Sequence, residues 1–289
     1  MPDTVEKAYA KLNISLDVTD RRPDGYHNMI MVMQTVSVCD ELRISLNSEG
    51  RVQAQSGLRY IPGDERNLAV KAALTFMQAA GISGYGADIV LSKTIPVGAG
   101  MAGGSADAAA VLRGMNRLFD SPFSPEELEK LGEKIGSDVP FCVRGGTSLA
   151  SGRGEILSPL PDMPDCLYVI CKPGFSISTP ELFKKLDEVH LHRHPDTAGI
   201  ISALEQHDLR EICRRMYNVF EDVDDRRLRT VSEIKNVMLD HGAYSAMMTG
   251  TGSAVFGVFS SRVDAENACR ALSSEYGFCR IAENVPRII

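Results

Sequence analysis

The sequence has no excess of basic residues: 31 lysines and arginines against 38 aspartates and glutamates give a net charge of −7. It therefore lacks the basic surface that is typical of nucleic-acid-binding and membrane-surface proteins. No apolar run approaches the roughly 20 residues that a membrane-spanning helix needs. The seven cysteines are an odd number without a Cys-x-x-Cys pair, so neither a disulfide framework nor a zinc knuckle is expected.

The N-terminal segment is polar and acidic, which is typical of neither a signal peptide nor an arginine-rich transit peptide. With 44% hydrophobic and 24% charged residues, the composition is that of a globular protein. We therefore expect a cytoplasmic protein that binds neither nucleic acid nor membranes. A length of 289 residues favours two domains of about 150 residues each. The Gly/Ser-rich stretch 145–154 places their predicted division between 1–154 and 155–289.

Strict alternation of apolar and polar residues over 8–18 predicts a half-buried strand, with Lys11 and Asn13 together on its polar face. Further strands are predicted at 27–38, 41–46, 87–91, 167–172, 244–248, 254–259 and 278–283, and helices at 67–80, 104–119, 124–136, 197–216, 225–240 and 263–276, with one more capped by Thr179-Pro180. Apart from two extra helices, the second half has the order β-α-β-β-α-β of a ferredoxin-like domain.

Residues 95–107 contain four glycines directly before a predicted helix. Glycines let backbone N–H groups approach a phosphate, and a helix N-terminus adds further N–H groups and a favourable dipole. The alternative is a turn that needs glycine only for close packing. A dinucleotide-binding loop is not expected, because Pro96 interrupts the strand that should lead into it. The loop also lacks the lysine of a Walker motif, and the sequence lacks the H-R-D and D-F-G motifs of protein kinases.

The segment Pro-Val-Gly-Ala-Gly-Met-Ala-Gly-Gly-Ser-Ala resembles the ATP-binding loop of the GHMP small-molecule kinases. Three more segments resemble motifs of this family in the same order, so that the likeness extends over nearly the whole chain: 10–13 with 24–27, 136–141 and 248–253. The resemblance implies a two-domain α+β fold. Its N-terminal domain would be a ribosomal-protein-S5-like α/β domain that binds ATP, and its C-terminal domain ferredoxin-like.

The resemblance further implies an ATP-dependent kinase that uses Mg²⁺. The acceptor would be the 2-hydroxyl of a cytidine diphosphate-linked methylerythritol, in the non-mevalonate route to isoprenoids. The chain would act as a monomer or homodimer. Two alternatives remain open: a kinase of another alcohol, such as mevalonate or homoserine, and a nucleotide-binding regulator that has lost catalysis. The Asp-Gly-Tyr-His segment argues against the first, and the presence of both Lys11 and Asp138 argues against the second.

The resemblance also implies the residues of the site. Lys11 and Asp138 would be catalytic, and the residues in contact with ATP would be Pro96, Val97, Gly98, Ala99, Gly100, Met101, Ala102, Gly103, Gly104, Ser105 and Ala106. Substrate contacts would come from Asn13, Tyr26, His27, Thr179 and Phe183, and Gly250, Thr251 and Gly252 would shape the site from the second domain. From the residues alone, the default interpretation of Asp138 is a loop aspartate that binds backbone N–H groups, and only the resemblance makes it the general base. Thr179 and Phe183 are nearly as well explained as a helix cap and a core aromatic residue.

Overall fold

The computed structural model describes residues 2–289; Met1, the first residue of the predicted N-terminal domain, lies outside the described residues. The strands are β1 (Asp3–Arg21), β2 (His27–Asn47), β3 (Val52–Ser56), β4 (Gly86–Ser92), β5 (Thr147–Ser151), β6 (Ile156–Pro159), β7 (Leu167–Lys172), β8 (Tyr217–Asn218), β9 (Ser245–Met248), β10 (Val255–Phe259) and β11 (Phe278–Glu283). The helices are α1 (Leu68–Ala79), α2 (Gly103–Leu118), α3 (Pro125–Glu133), α4 (Val139–Arg144), α5 (Thr179–Leu186), α6 (Thr197–Glu205), α7 (Leu209–Arg215), α8 (Leu228–Asp240) and α9 (Arg262–Ser273).

The first sheet has the strand order β3-β4-β2-β1-β8, with β5 paired to β2 and β6 paired to β5. The predicted strand over 8–18 is confirmed within β1, and Ala10, Leu12 and Ile14 are completely buried beneath α2. The prediction of a half-buried strand is wrong, because the opposite face is buried as well: Lys11 is 4% exposed and Asn13 is 0% exposed. A sequence pattern cannot show this second cover, since it comes from residues far away in the chain.

Two further sequence predictions need correction. The predicted strands 27–38 and 41–46 are one continuous strand, β2, whose irregular middle is a bulge opposite the Tyr9–Ala10 step of β1. The predicted helix 197–216 is two helices, α6 and α7. They separate because His207 has a left-handed backbone with φ 51°, and Asp208 caps the second helix by accepting from Glu211 N–H.

The second sheet has the order β11-β7-β10-β9, with α8 and α9 packed on it. Its elements follow the predicted order β-α-β-β-α-β along the chain. Helix α5 begins at Thr179, so that Ser178 rather than Thr179 holds the N-cap position. The division after residue 154 stays a prediction, while β6 pairs with β5 and so extends the first sheet past that residue.

The two halves of the chain meet beside β1. Strand β8 runs parallel to β1 at Ser15 and Leu16, and Ala254 N–H donates to the carbonyl of Ala99 at 3.1 Å. The glycine-rich loop therefore lies between the two sheets. None of the helices formed by residues 2–289 combines the length and the apolar composition that crossing a membrane requires.

Candidate active site

A cavity of about 510 Å³ lies between the glycine-rich loop and the second half of the chain. Its lining brings together most of the residues that are predicted from the sequence to be catalytic, to contact ATP or the substrate, or to shape the site. They are residues 96–105 of the loop, Lys11 of β1, Asp138, Thr179 and Phe183 of α5, and Gly250 and Thr251 of the β9–β10 turn. We call this the catalytic cavity.

The loop requires glycine where it turns most sharply. Gly98 and Gly100 have left-handed backbones with φ 64° and φ 75°, and a Cβ atom at Gly100 would collide with the carbonyl oxygen of Thr249. Ala102, at the N-cap of α2, is left-handed as well. An alanine has no side-chain oxygen to bind the first N–H groups of the helix, so this end of α2 suits an anionic ligand.

Lys11 is held at the junction of three segments. Its backbone N–H donates to the carbonyl of Met101 in the loop at 3.2 Å, and its Nζ donates to Asn13 Oδ1 at 2.6 Å. Asn13 in turn accepts from Thr249 Oγ1 at 3.3 Å through the same oxygen. The strand, the loop and the β9–β10 turn therefore fix the ammonium group together.

Asp138 occupies the turn directly before α4, and its side chain is half-buried. The sequence predicts a loop rather than a helix at this position, and the turn agrees with this prediction, although α4 begins at the next residue. A Cβ atom added at Gly154 would lie 3.9 Å from Asp138 Oδ1, because that glycine passes close beside the carboxylate. Asp138 and Lys11 face the same catalytic cavity.

A second cavity, of about 720 Å³, adjoins the first and shares Met29, Thr179 and Phe183 with it. Tyr26 and His27 line it as well. The rings of His27 and Phe183 are stacked, with centroids 4.8 Å apart and an angle of 22° between their planes. The Tyr26 ring is 58% exposed. We call this the aromatic cavity.

Three residues with predicted contacts do not reach either cavity in the described chain: Asn13, Ala106 and Gly252. Asn13 is completely buried, and its Oδ1 accepts from Lys11 Nζ, while its contact with the substrate stays a prediction. Ala106 faces the core of the first half. A Cβ atom at Gly252 would collide with Met248 Sδ, so glycine is required here for the packing of the β9–β10 turn itself.

Sequence reasoning missed a buried ion-pair network beside the loop. Lys93 Nζ donates to Asp40 Oδ2 and to Asp107 Oδ2, at 2.5 Å each. Asp40 also accepts from the N–H groups of Thr94 and Ile95, which lead into the loop. The network thus ties β2, the loop and α2 together. The available signal was a single aspartate among the alanines of α2.

This network predicts a pH-dependent stability. Burial raises the pKa of Asp107 from 3.8 to about 7, against the opposing effect of the Lys93 ammonium. The unfolded chain therefore releases this proton at lower pH than the folded protein does. The stability that the protonated form contributes is complete below about pH 4 and is lost as the pH rises through about 7.

Asp107→Asn keeps this side chain neutral at every pH. We therefore expect the difference in melting temperature, variant minus wild type, to increase between about pH 4 and pH 8. The increase should be roughly 2–4 °C for each kcal/mol of free energy of unfolding that wild type loses over this range. Differential scanning calorimetry of both proteins in matched buffers measures this difference. A difference that stays constant over the range would show that the Asp107 carboxyl titrates alike in the folded and unfolded states.

Comparison with protein-family models gives two matches in this chain. The model for the GHMP kinases N terminal domain matches residues 67–146, and the model for the GHMP kinases C terminal matches residues 200–277. The first range contains the glycine-rich loop and Asp138, and the second contains the β9–β10 turn. The matched ranges therefore contain part of the lining of the catalytic cavity on both sides, whereas Lys11, Thr179 and Phe183 lie outside them.

Similar proteins match over nearly the whole chain. A 4-diphosphocytidyl-2-C-methyl-D-erythritol kinase of Bacillus licheniformis is 44% identical over 279 residues, which cover 95% of this chain and 93% of the relative. A crystal structure of 4-(cytidine 5'-diphospho)-2C-methyl-D-erythritol kinase has a TM-score of 0.81 at 31% identity and covers 97% of this chain and 99% of its own. A homoserine kinase from Cytophaga hutchinsonii has a TM-score of 0.77 at 19% identity, covering 99% and 96% of the two chains, which shows a common fold alone.

Proposed function

The chain belongs to the GHMP kinase family, among the 4-diphosphocytidyl-2-C-methyl-D-erythritol kinases, and is an ATP-dependent small-molecule kinase; we propose that it transfers the γ-phosphate of ATP to the 2-hydroxyl of 4-diphosphocytidyl-2-C-methyl-D-erythritol. This reaction lies in the non-mevalonate route to isoprenoid precursors. The prediction of a two-domain α+β GHMP kinase fold is confirmed by the family matches and the full-length structural similarity.

One observation carries the proposal: the catalytic cavity and the aromatic cavity are adjacent and share Met29, Thr179 and Phe183 in their linings. A phosphate-binding loop with a lysine and an aspartate lines one cavity, and stacked aromatic rings line the other. Such rings suit a flat pyrimidine base. A substrate with a base at one end and an alcohol at the other spans the two cavities, so that its hydroxyl reaches the loop.

Phosphoryl transfer depends mainly on positioning and on stabilisation of charge, with one group to take the proton of the attacking hydroxyl. In our proposal Asp138 accepts that proton, and the Lys11 ammonium stabilises the negative charge that develops on the hydroxyl oxygen. The loop and the first turn of α2 hold the phosphates of ATP through N–H groups. The burial of Lys11 supports this role, because its charge acts in a site with little screening by water.

Magnesium is proposed to accompany ATP, since adjacent phosphate charges need neutralisation. Among residues 2–289, no group of three or more His, Cys, Asp or Glu side chains is arranged to hold a metal ion. In the proposal the magnesium ion is therefore bound mainly by the phosphates of ATP and by water. Ser105, in the first turn of α2, lines the catalytic cavity and offers a hydroxyl oxygen as a protein ligand.

An ADP-release assay with three acceptors tests the proposal. We expect turnover with the cytidine diphosphate-linked methylerythritol and background rates with mevalonate and homoserine. Turnover with one of the latter alone would assign the chain to another alcohol. Binding of ATP without turnover of any acceptor would favour a nucleotide-binding regulator.

Tyr26→Ala should weaken binding of the cytidine substrate and leave ATP affinity nearly unchanged. One face of the base loses its stacking partner. By analogy with nucleic-acid bases that stack on aromatic side chains, this loss weakens the free energy of substrate binding by roughly 1–3 kcal/mol. Because the ring is largely exposed, its removal should not disturb the core. Calorimetric titration of both ligands measures the effect, and equal weakening of both would place Tyr26 in the fold rather than in the base site.

A further inference from the structure

We propose that Asp187 is a positioning residue that sets the base specificity of the aromatic cavity, by holding His27 in the tautomer that accepts a hydrogen bond from an amino-bearing pyrimidine. This inference rests on the proposed function and adds a determinant that discriminates cytosine from uracil. The residue lies at the C-cap of α5, one turn after Phe183. It therefore reaches the aromatic cavity from the same helix that supplies the stacking ring.

The contact between Asp187 and His27 is short and sheltered. Asp187 Oδ1 lies 2.7 Å from His27 Nε2, and His27 is 9% exposed. The second carboxylate oxygen faces Arg21 at 3.7 Å, a weaker contact of a largely exposed arginine. Phe183 covers one face of the imidazole. The stacking fixes the plane of the His27 imidazole, and the hydrogen bond fixes Nε2 as the nitrogen that faces Asp187.

A carboxylate can only accept hydrogen bonds, so the proton of this contact belongs to His27 Nε2. In the neutral imidazole the other nitrogen, Nδ1, is then an acceptor. Within residues 2–289 the structure contains no protein hydrogen bond to Nδ1. Nδ1 therefore remains an acceptor for a ligand in the aromatic cavity, which His27 lines.

The two pyrimidine bases of ribonucleotides, cytosine and uracil, differ at the edge that such a nitrogen contacts. Cytosine presents an exocyclic amino group, which donates, whereas uracil presents a carbonyl oxygen at the same position, which accepts. An accepting nitrogen binds the first and repels the second. Loss of Asp187 allows the imidazole to change tautomer, so that Nδ1 donates and the preference for cytosine falls.

The test compares CDP and UDP as calorimetric probes with the full chain. For wild type we expect CDP to bind more tightly than UDP. For Asp187→Ala we expect CDP binding to weaken by up to about tenfold, the loss of one hydrogen bond between neutral groups, while UDP binding stays unchanged or improves. Asp187→Asn retains an oxygen that accepts from Nε2, so it should keep much of the preference. The adjacent Glu188→Gln removes the same charge without a bond to His27 and serves as the matched control.

The kinetic result should separate positioning from folding. With the methylerythritol substrate, Asp187→Ala should raise the acceptor KM and leave kcat and the KM for ATP unchanged. If α5 were merely displaced, CDP and UDP would weaken equally, and an unchanged ratio of their affinities would overturn the inference. The proposed function fails separately, if wild type neither prefers CDP nor phosphorylates the cytidine-linked acceptor.

Discussion

Asp138→Asn is expected to reduce kcat by at least ~10², the low end for removal of a positioned general base. The amide has the shape of the carboxylate but cannot accept the proton of the attacking hydroxyl. Asp138 precedes α4 without a side-chain cap bond among the described residues, so the exchange should leave the helix intact. ATP affinity should change little, because in the proposed function the phosphates are bound by the loop and the first turn of α2.

Single-turnover kinetics with saturating ATP and acceptor measure this effect on the chemical step alone. Asp162→Asn, the same exchange at an exposed position, is the matched control and should turn over normally. A folded Asp138→Asn variant with near-normal turnover would assign the carboxylate to the turn that it begins, as an aspartate that orders neighbouring backbone groups.

Local patterns were sufficient for the parts of the site that lie within one segment. The alternation of β1 placed Lys11 and Asn13 on one face, and the structure joins them by a hydrogen bond. The spacing of glycines before α2 predicts a phosphate-binding loop; the structure places residues 96–105 in the lining of the catalytic cavity, and their contact with phosphate stays a prediction. In both cases the chemistry depends on residues fewer than ten positions apart, where backbone geometry alone fixes the arrangement.

Contacts between distant segments were not predictable in this way. Lys93 meets Asp40 across 53 positions, and His27 meets Asp187 across 160 positions. Charged residues at such separations have no shared period or spacing in the sequence. Their pairing follows from which strands become neighbours and which helix covers them, and this is a property of the tertiary packing.

Lys11→Met should lower turnover by a factor on the order of 10² or more, the loss that follows removal of one electrostatic stabiliser. Methionine keeps an unbranched side chain of similar length and suits a buried position. The substitution removes the hydrogen bond to Asn13 Oδ1, but that oxygen keeps Thr249 Oγ1 as a donor at 3.3 Å. We therefore expect a melting temperature within a few degrees of wild type, which corresponds to roughly 1 kcal/mol for a chain of this size.

Lys7→Met provides the matched control, because Lys7 lies on the same strand in the same alternation but is exposed. Its turnover should equal that of wild type, since its ammonium is outside the catalytic cavity. A kinetic loss at position 11 with a normal melting curve, and none at position 7, would separate the charge of Lys11 from its packing. If Lys11→Met also turned over normally, the buried ammonium would serve only Asn13 and the β9–β10 turn, and the charge acting on the acceptor hydroxyl would have to come from another side of the cavity.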